Sequence, residues 1–192
     1  MKDDDVLVII GGTDDDHVLS SIEVIGNSPC SVPDFPYSIT GHSAILTPDG
    51  VPLVCGATSG LDMDCHECFM FDAEKKEWVK HSETHLCHRY ASAIAMPNGV
   101  YLLGGYGHEK EFEFLPIGST SWIDMTHGDD GKLPFSVAES CVTATSDKTF
   151  LAMGGKIVSS FCSFMYKVSQ KKLGFTATIT SSESHFFGIP CS

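Results

Sequence analysis

The sequence predicts an all-β fold built from about four copies of one antiparallel unit, and three observations carry that reading. An apolar run ends in a glycine pair again and again: Val6-Leu7-Val8-Ile9-Ile10 before Gly11-Gly12, Tyr101-Leu102-Leu103 before Gly104-Gly105, and Phe150-Leu151-Ala152-Met153 before Gly154-Gly155. An imperfect copy, Pro52-Leu53-Val54, precedes Cys55-Gly56. The second glycines fall at positions 12, 56, 105 and 155, in steps of 44, 49 and 50, close to the 48 obtained on dividing 192 residues by four. Periods of this size belong to propeller blades. The second observation is a match without a gap of residues 43–56 to residues 92–105, from Ser43-Ala44-Ile45 and Ser92-Ala93-Ile94 onward. The third is the lack of a convincing helical period anywhere in the chain.

Each element has a local cause. Ala44-Ile45-Leu46 and Ala93-Ile94-Ala95 are short apolar strands that run into Pro48-Asp49-Gly50 and Pro97-Asn98-Gly99. Asp-Gly and Asn-Gly supply the positive φ of a tight hairpin, and the preceding proline stops the first strand. The second strand then leads to the glycine pair. A third follows a polar loop: Ser20-Ser21-Ile22-Glu23-Val24-Ile25, Cys68-Phe69-Met70-Phe71-Asp72, Phe112-Glu113-Phe114-Leu115 and Phe164-Met165-Tyr166-Lys167-Val168. Several alternate with the two-residue period of a half-buried strand. Trp78 and Trp122 mark the fourth strand of the middle copies, and Leu173 or Phe175 is the candidate for that role in the last. The first copy starts at its second strand.

The residues Phe69-Met70-Phe71-Asp72-Ala73-Glu74-Lys75-Lys76-Glu77-Trp78, then Arg89-Tyr90-Ala91-Ser92-Ala93, then Asn98-Gly99-Val100-Tyr101-Leu102-Leu103-Gly104-Gly105 resemble a kelch repeat. The resemblance spans essentially the whole chain, most closely residues 40–126. It implies a kelch-type β-propeller of the galactose oxidase/kelch-like superfamily, with four-stranded antiparallel blades around a central channel. Residues 1–192 then form a single domain with blades at about 5–36, 40–82, 88–128 and 138–178. Gly11, Gly12, Gly56, Gly104, Gly105, Gly154 and Gly155 permit close backbone approach in this reading. Trp78 and Trp122 add a large apolar contact where blades meet. Four blades are fewer than such rings usually hold. Residues 180–192 are the candidate closing strand of a small ring; the favoured alternative is a fragment of a longer propeller, whose open edges invite self-association. The segment Cys30-Ser31-Val32-Pro33-Asp34-Phe35-Pro36 is similar to one found in invertebrate, often secreted, kelch-type proteins, which implies disulfides in an exported parent.

Composition narrows the function. With 12 Lys+Arg against 25 Asp+Glu and a formal net charge of −13, the chain lacks the cationic surface that phosphate binding needs, so nucleic acid is not an expected partner. Its longest apolar runs are too short to cross a bilayer as a helix, so a membrane is not one either. The start, Met1-Lys2-Asp3-Asp4-Asp5, does not read as a signal peptide. The expectation is a cytoplasmic chain as written, or an extracellular one if it is part of a secreted parent. Eight cysteines leave the redox compartment open.

Cys65, Cys68, His81 and His85 have the Cys-x2-Cys-x12-His-x3-His spacing of a zinc finger. Asp72 and Trp78 stand where a finger has its phenylalanine and leucine, and the four residues belong to the repeat, so no metal is expected. A disulfide from Cys55 to Cys65 or Cys68 fits two strands of one hairpin better. Asp3-Asp4-Asp5 and Asp14-Asp15-Asp16 lack the spacing of a calcium loop and read as solvated turns. No nucleophile elbow, phosphate loop or His-Glu-x-x-His motif occurs, so neither an enzyme nor a cofactor is expected.

Recognition remains. In a propeller, the loops between second and third strands and the links between blades emerge on one face. Here they are residues 13–19, 57–64, 106–111 and 156–160, with links 82–90 and 126–137. The expectation is a noncatalytic protein-interaction module, with His88, Arg89, Tyr90, Tyr106 and His108 as contact candidates because Tyr and Arg are enriched in binding hot spots. The alternative is a secreted propeller that binds glycan or acts as a galactose-oxidase-like enzyme.

Overall fold

The computed structural model describes residues 7–26, 32–58, 65–126, 131–133, 135–154, 156–157, 160–161, 165–171 and 174–179. These residues are all-β, arranged as antiparallel sheets in sequence order. Sheet I pairs β1 (Leu7–Thr13) with β2 (Val18–Ile25). Sheet II has the order β3 (Ser43–Leu46), β4 (Pro52–Cys55), β5 (Glu67–Asp72), β6 (Glu77–Glu83). Sheet III follows as β7 (Ser92–Met96), β8 (Gly99–Leu103), β9 (Phe112–Pro116), β10 (Ile123–Asp124). In the last, β11 (Ser140–Ser146) and β12 (Thr149–Gly154) precede a small hairpin of β13 (Lys156–Ile157) and β14 (Ser160–Phe161). Sheet IV then completes as β11-β12-β15-β16, with β15 at Met165–Lys171 and β16 at Gly174–Ile179. Each four-stranded sheet is an up-and-down meander of nearest neighbours, the arrangement that short turns enforce.

The burial pattern explains why the second strands read as unbroken apolar runs. In β8 all five residues are buried, and in β4 all but the first. Successive side chains of a strand leave on opposite faces, so such a run needs a neighbour on both sides. Val54 joins Ile10, Phe35, Ile39, Phe69 and Trp78 between sheets I and II. Leu53 and Cys55, on the other face of β4, meet Val100, Leu102, Leu115 and Trp122 between sheets II and III. Tyr101 and Leu103 turn the other way and pack with Ile94, Phe112, Val137, Phe150 and Ala152 between sheets III and IV. The core is therefore a series of layers between sheets rather than one central cluster. Each fully buried apolar side chain in these layers contributes about 1.5–3 kcal/mol.

Trp78 and Trp122 both face the preceding unit. The Trp78 ring lies 5.2 Å from Phe35 and its indole N–H donates to the Pro33 carbonyl at 3.3 Å. The Trp122 indole N–H donates to Ser82 Oγ at 3.0 Å. The first strands of neighbouring sheets are tied by a repeated bond: the Ser43 hydroxyl donates to the Ala91 carbonyl at 2.8 Å, and the Ser92 hydroxyl to the Ser140 carbonyl at 2.7 Å, each spanning 48 residues. That serine period is the repeat written into the backbone.

The structure departs from the sequence reading in four places. The match of 43–56 to 92–105 slips by one residue after the turn. Ser43 pairs with Cys55, whereas Ser92 pairs with Leu103. The Thr47–Val51 turn is one residue longer; the N–H and hydroxyl of Thr47 donate to the Val51 carbonyl, and the Val51 N–H donates back to the Thr47 hydroxyl. Gly56 consequently stands at the position of Gly104, and Ala57 at that of Gly105. Second, β6 continues to Glu83 and so takes in the first two residues of the expected link 82–90. Third, the expected loop 156–160 carries the β13–β14 hairpin. Fourth, sheet I has two strands among the described residues, and the link 32–40 covers it instead, with Phe35 N–H donating to Ser20 O and Ile39 N–H to Leu19 O, both at 2.9 Å. Gly155, Leu173 and residues 180–192 lie outside the described residues, as does Cys30.

Candidate binding face

Loops and links meet at one end of the sheets because the glycine turns hydrogen-bond to the links. Gly12 N–H donates to Ile39 O at 2.8 Å, Thr58 N–H to Thr40 O at 3.0 Å, Tyr106 N–H to Arg89 O at 2.9 Å and Gly105 N–H to Val137 O at 2.8 Å. The approach is close enough to exclude side chains. A Cβ on Gly56 would lie 2.3 Å from the His88 carbonyl oxygen, and one on Gly104 would lie 1.8 Å from that of Val137. Both glycines also have a positive φ, 69° and 71°, which L residues disfavour.

Where each link enters the first strand of the next sheet, one residue adopts the left-handed conformation: Gly41 (φ 64°), Tyr90 (φ 58°) and Glu139 (φ 51°). These three are joined in series, Tyr90 N–H donating to Gly41 O at 2.7 Å and Glu139 N–H to Tyr90 O at 2.9 Å. For Tyr and Glu the conformation costs roughly 1–2 kcal/mol each. It persists because the hydrogen-bonded series overdetermines it. The result aims Tyr90 across Gly41, where a Cβ would lie 3.0 Å from the ring. The Tyr106 ring stands 4.9 Å from that of Tyr90, tilted by 45°, and its hydroxyl donates to Glu139 Oε1. That hydrogen bond, ahead of burial and the carboxylate's charge, pushes the Tyr106 phenol up to about 12.

Of the five contact candidates, Tyr90 and Tyr106 are thus side by side. Arg89 is exposed on the same link, and His108 is half-buried in the turn where its N–H donates to Gly105 O. His88 is a correction. It is completely buried, so no partner reaches its ring. Its Nδ1 lies 2.6 Å from the Gly104 carbonyl oxygen, which only accepts, so Nδ1 carries a proton. Its Nε2 lies 3.3 Å from Glu113 Oε1. The same carboxylate accepts the backbone N–H of Leu86 at 2.7 Å and that of His85 at 3.0 Å, with the His85 ring 3.1 Å away. Glu113 therefore fastens the link 84–88 to sheet III from inside.

Two residues that matter were not singled out from sequence. Glu139 had a signal in the constant step of 49 residues from Gly41 to Tyr90 and on to Glu139. Glu113 had one too: it faces Leu102 in β9 at the place where Phe69 faces Val54 in β5, a charge where the neighbouring copy has an aromatic.

The cysteines rule out the tetrahedral arrangement that the finger spacing suggests. Cys55 is bonded to Cys68, its cross-strand partner, and Cys65 to Cys87. Both thiols of the finger motif are thereby consumed, and His81 points from a strand instead of a helix. The proximity of Cys87 to Cys65 depends on the path of the link and is not written in the cysteine spacing. The Cys65–Cys87 bridge adds a second tie on the link that carries Tyr90. Cys141 is disulfide-bonded as well, so every cysteine among the described residues is oxidised. Among those residues no group of three or more His, Cys, Asp or Glu is placed to hold a metal ion. In the chain-entropy view each of the two bridges, closing 13 and 22 residues, stabilises by about 3 kcal/mol. Peptide mapping of the unreduced protein is expected to recover both linked pairs, and C65S/C87S to lower the denaturant midpoint without changing the far-UV spectrum.

The class that fold and face define is an all-β protein of stacked antiparallel sheets, with aromatic and charged side chains gathered where loops meet links. No family model matches the chain, and no curated protein matches it.

Proposed function

We propose that the chain is a noncatalytic interaction module built as a kelch-type β-propeller, with sheets I to IV as successive blades and the loop-and-link end as its binding face. The observation that carries this reading is the strained, hydrogen-bonded series Gly41, Tyr90, Glu139. It spends conformational energy to fix side chains at a surface where the core has no use for them, and backbone outliers of this kind concentrate at functional sites. The blade reading draws on the side-by-side inner strands with their serine bonds and on strands buried on both faces.

The test is affinity capture from extracts of the source tissue with three immobilised proteins: the native chain, one with Arg89, Tyr90, Tyr106 and His108 all changed to Ala, and one altered at the opposite turns as D49A/N98A. Proteins retained by the native chain are expected to bind the turn variant equally and to be lost from the four-alanine variant. Equal retention by the four-alanine variant, with its melting curve intact, overturns the assignment of this face.

A further inference from the structure

We infer that Tyr90, Tyr106 and Glu139 form a receptor for a cationic side chain, arginine above all, presented by a protein partner; this rests on the interaction-module reading and names the chemistry of its face. The first argument is the carboxylate. Glu139 is exposed and takes one hydrogen bond, from the Tyr106 hydroxyl. A carboxylate offers about four acceptor positions, so most of its capacity points outward. Among the described residues no cation is ion-paired with it. Lys132 pairs instead with Glu111 at 3.5 Å, and neither Arg89 nor Lys110 lies within ion-pair distance of Glu139.

The second argument is the aromatic pair. Two half-buried tyrosine rings 4.9 Å apart and tilted by 45° offer an electron-rich face beside the carboxylate, and a cation over such a face within about 6 Å of the ring is attracted by its quadrupole. A guanidinium satisfies both groups at once. It is planar, stacks on aromatic rings and delivers paired N–H donors to one carboxylate, which a lysine ammonium does not.

The third argument is the surrounding field. On the described loops and links, Asp14, Asp15, Asp16, Asp34, Glu83, Glu109, Glu111 and Glu139 outnumber Arg89, Lys110, Lys132 and Lys156, on a chain of net charge −13. A basic segment is drawn to this end and an acidic one is repelled. The left-handed Tyr90 and Glu139 are held before any ligand arrives, so little ordering remains to be done on binding.

The experiment titrates the full 192-residue chain with acetylated hexapeptides that differ at one central position: arginine, lysine, citrulline or glutamate. A neutral oligosaccharide, chitotriose, is the fifth probe. Binding is followed by tyrosine ring signals in NMR, for the native chain and for E139Q, Y106F and Y90A, each checked for an unchanged melting temperature. Arginine is expected to bind tightest. Citrulline keeps the shape but loses the charge and is expected to bind about tenfold more weakly, and E139Q to weaken arginine binding by about the same factor. Raising the salt concentration is expected to weaken both native and Y106F binding. Citrulline or chitotriose binding as tightly as arginine overturns the cation receptor, as does an affinity for arginine in E139Q within twofold of native. Either result leaves the interaction-module reading standing, because that reading fails on a different measurement, the equal capture of partners by the four-alanine variant.

Discussion

Replacing Glu113 with leucine is expected to cost about 3–5 kcal/mol of folding stability, the range found when one member of a buried charged network is removed. Leucine matches the volume but accepts nothing. The backbone N–H groups of His85 and Leu86 then lose their acceptor and the buried His88 ring loses its partner, and each unsatisfied donor costs about 1–3 kcal/mol. Urea denaturation at neutral pH measures the loss. The acid dependence supplies an independent check. Burial by itself would raise the Glu113 carboxyl, but hydrogen bonds from the His88 ring, the His85 backbone and ring, and the Leu86 N–H outweigh it and hold the group down at about 2, against 4.5 for an ordinary glutamate. The unfolded chain therefore binds this proton first as pH falls. The stabilisation is complete above about pH 4.5, declines as pH drops and is gone below about 2, for a total of about 3 kcal/mol. E113L is expected to be unstable at neutral pH and to lack this segment of the native acid-stability curve. An unchanged curve in the variant would assign the acid dependence elsewhere.

Gly104→Ala is the second change with a large expected effect, about 3 kcal/mol or more, and its control lies three residues away. Gly104 and Gly107 both have a positive φ, 71° and 86°. A Cβ on Gly107 meets nothing within 4 Å, whereas on Gly104 it would overlap the Val137 carbonyl. G107A isolates the conformational cost, about 1 kcal/mol. The excess in G104A then measures the contact of sheet III with the link to sheet IV. Because Val137 is backbone at that contact, no rotamer change relieves it, and either the link moves or the turn opens. Thermal melts of the two variants side by side decide the matter: equal losses would mean that the close approach carries no energy.

Much of the fold was legible because its signals are local. The hairpins at 43–55 and 92–103 were visible from turn residues whose φ preferences do not depend on the rest of the molecule. Trp78 and Trp122 were visible because a large indole at the end of an alternating strand has few other roles. The one-residue slip between Gly56 and Gly104 was not visible: an alignment counts residues, while pairing depends on how the Thr47 hydroxyl closes its turn. The candidate face was half legible. Tyr90 and Tyr106 stand out in the sequence for what tyrosines do at interfaces, and their rings lie side by side. His88 adjoins Arg89 and Tyr90 in sequence, yet its ring is buried against the Gly104 carbonyl and Glu113, contacts that its neighbours in the chain do not reveal. Glu139 and Glu113 passed unnoticed among many acids, since an acid's role depends on what faces it.

By itself the sequence determined the class, the strand order within each unit and the places where glycine is required, because backbone conformational preference and alternating polarity act over a few residues. Only the tertiary structure decided which cysteines bond, which histidine is buried, and that Tyr90, Tyr106 and Glu139 share one corner. Those outcomes follow from the stacking of neighbouring sheets, which brings together residues some 49 positions apart in the chain, a distance over which no local preference of the backbone operates.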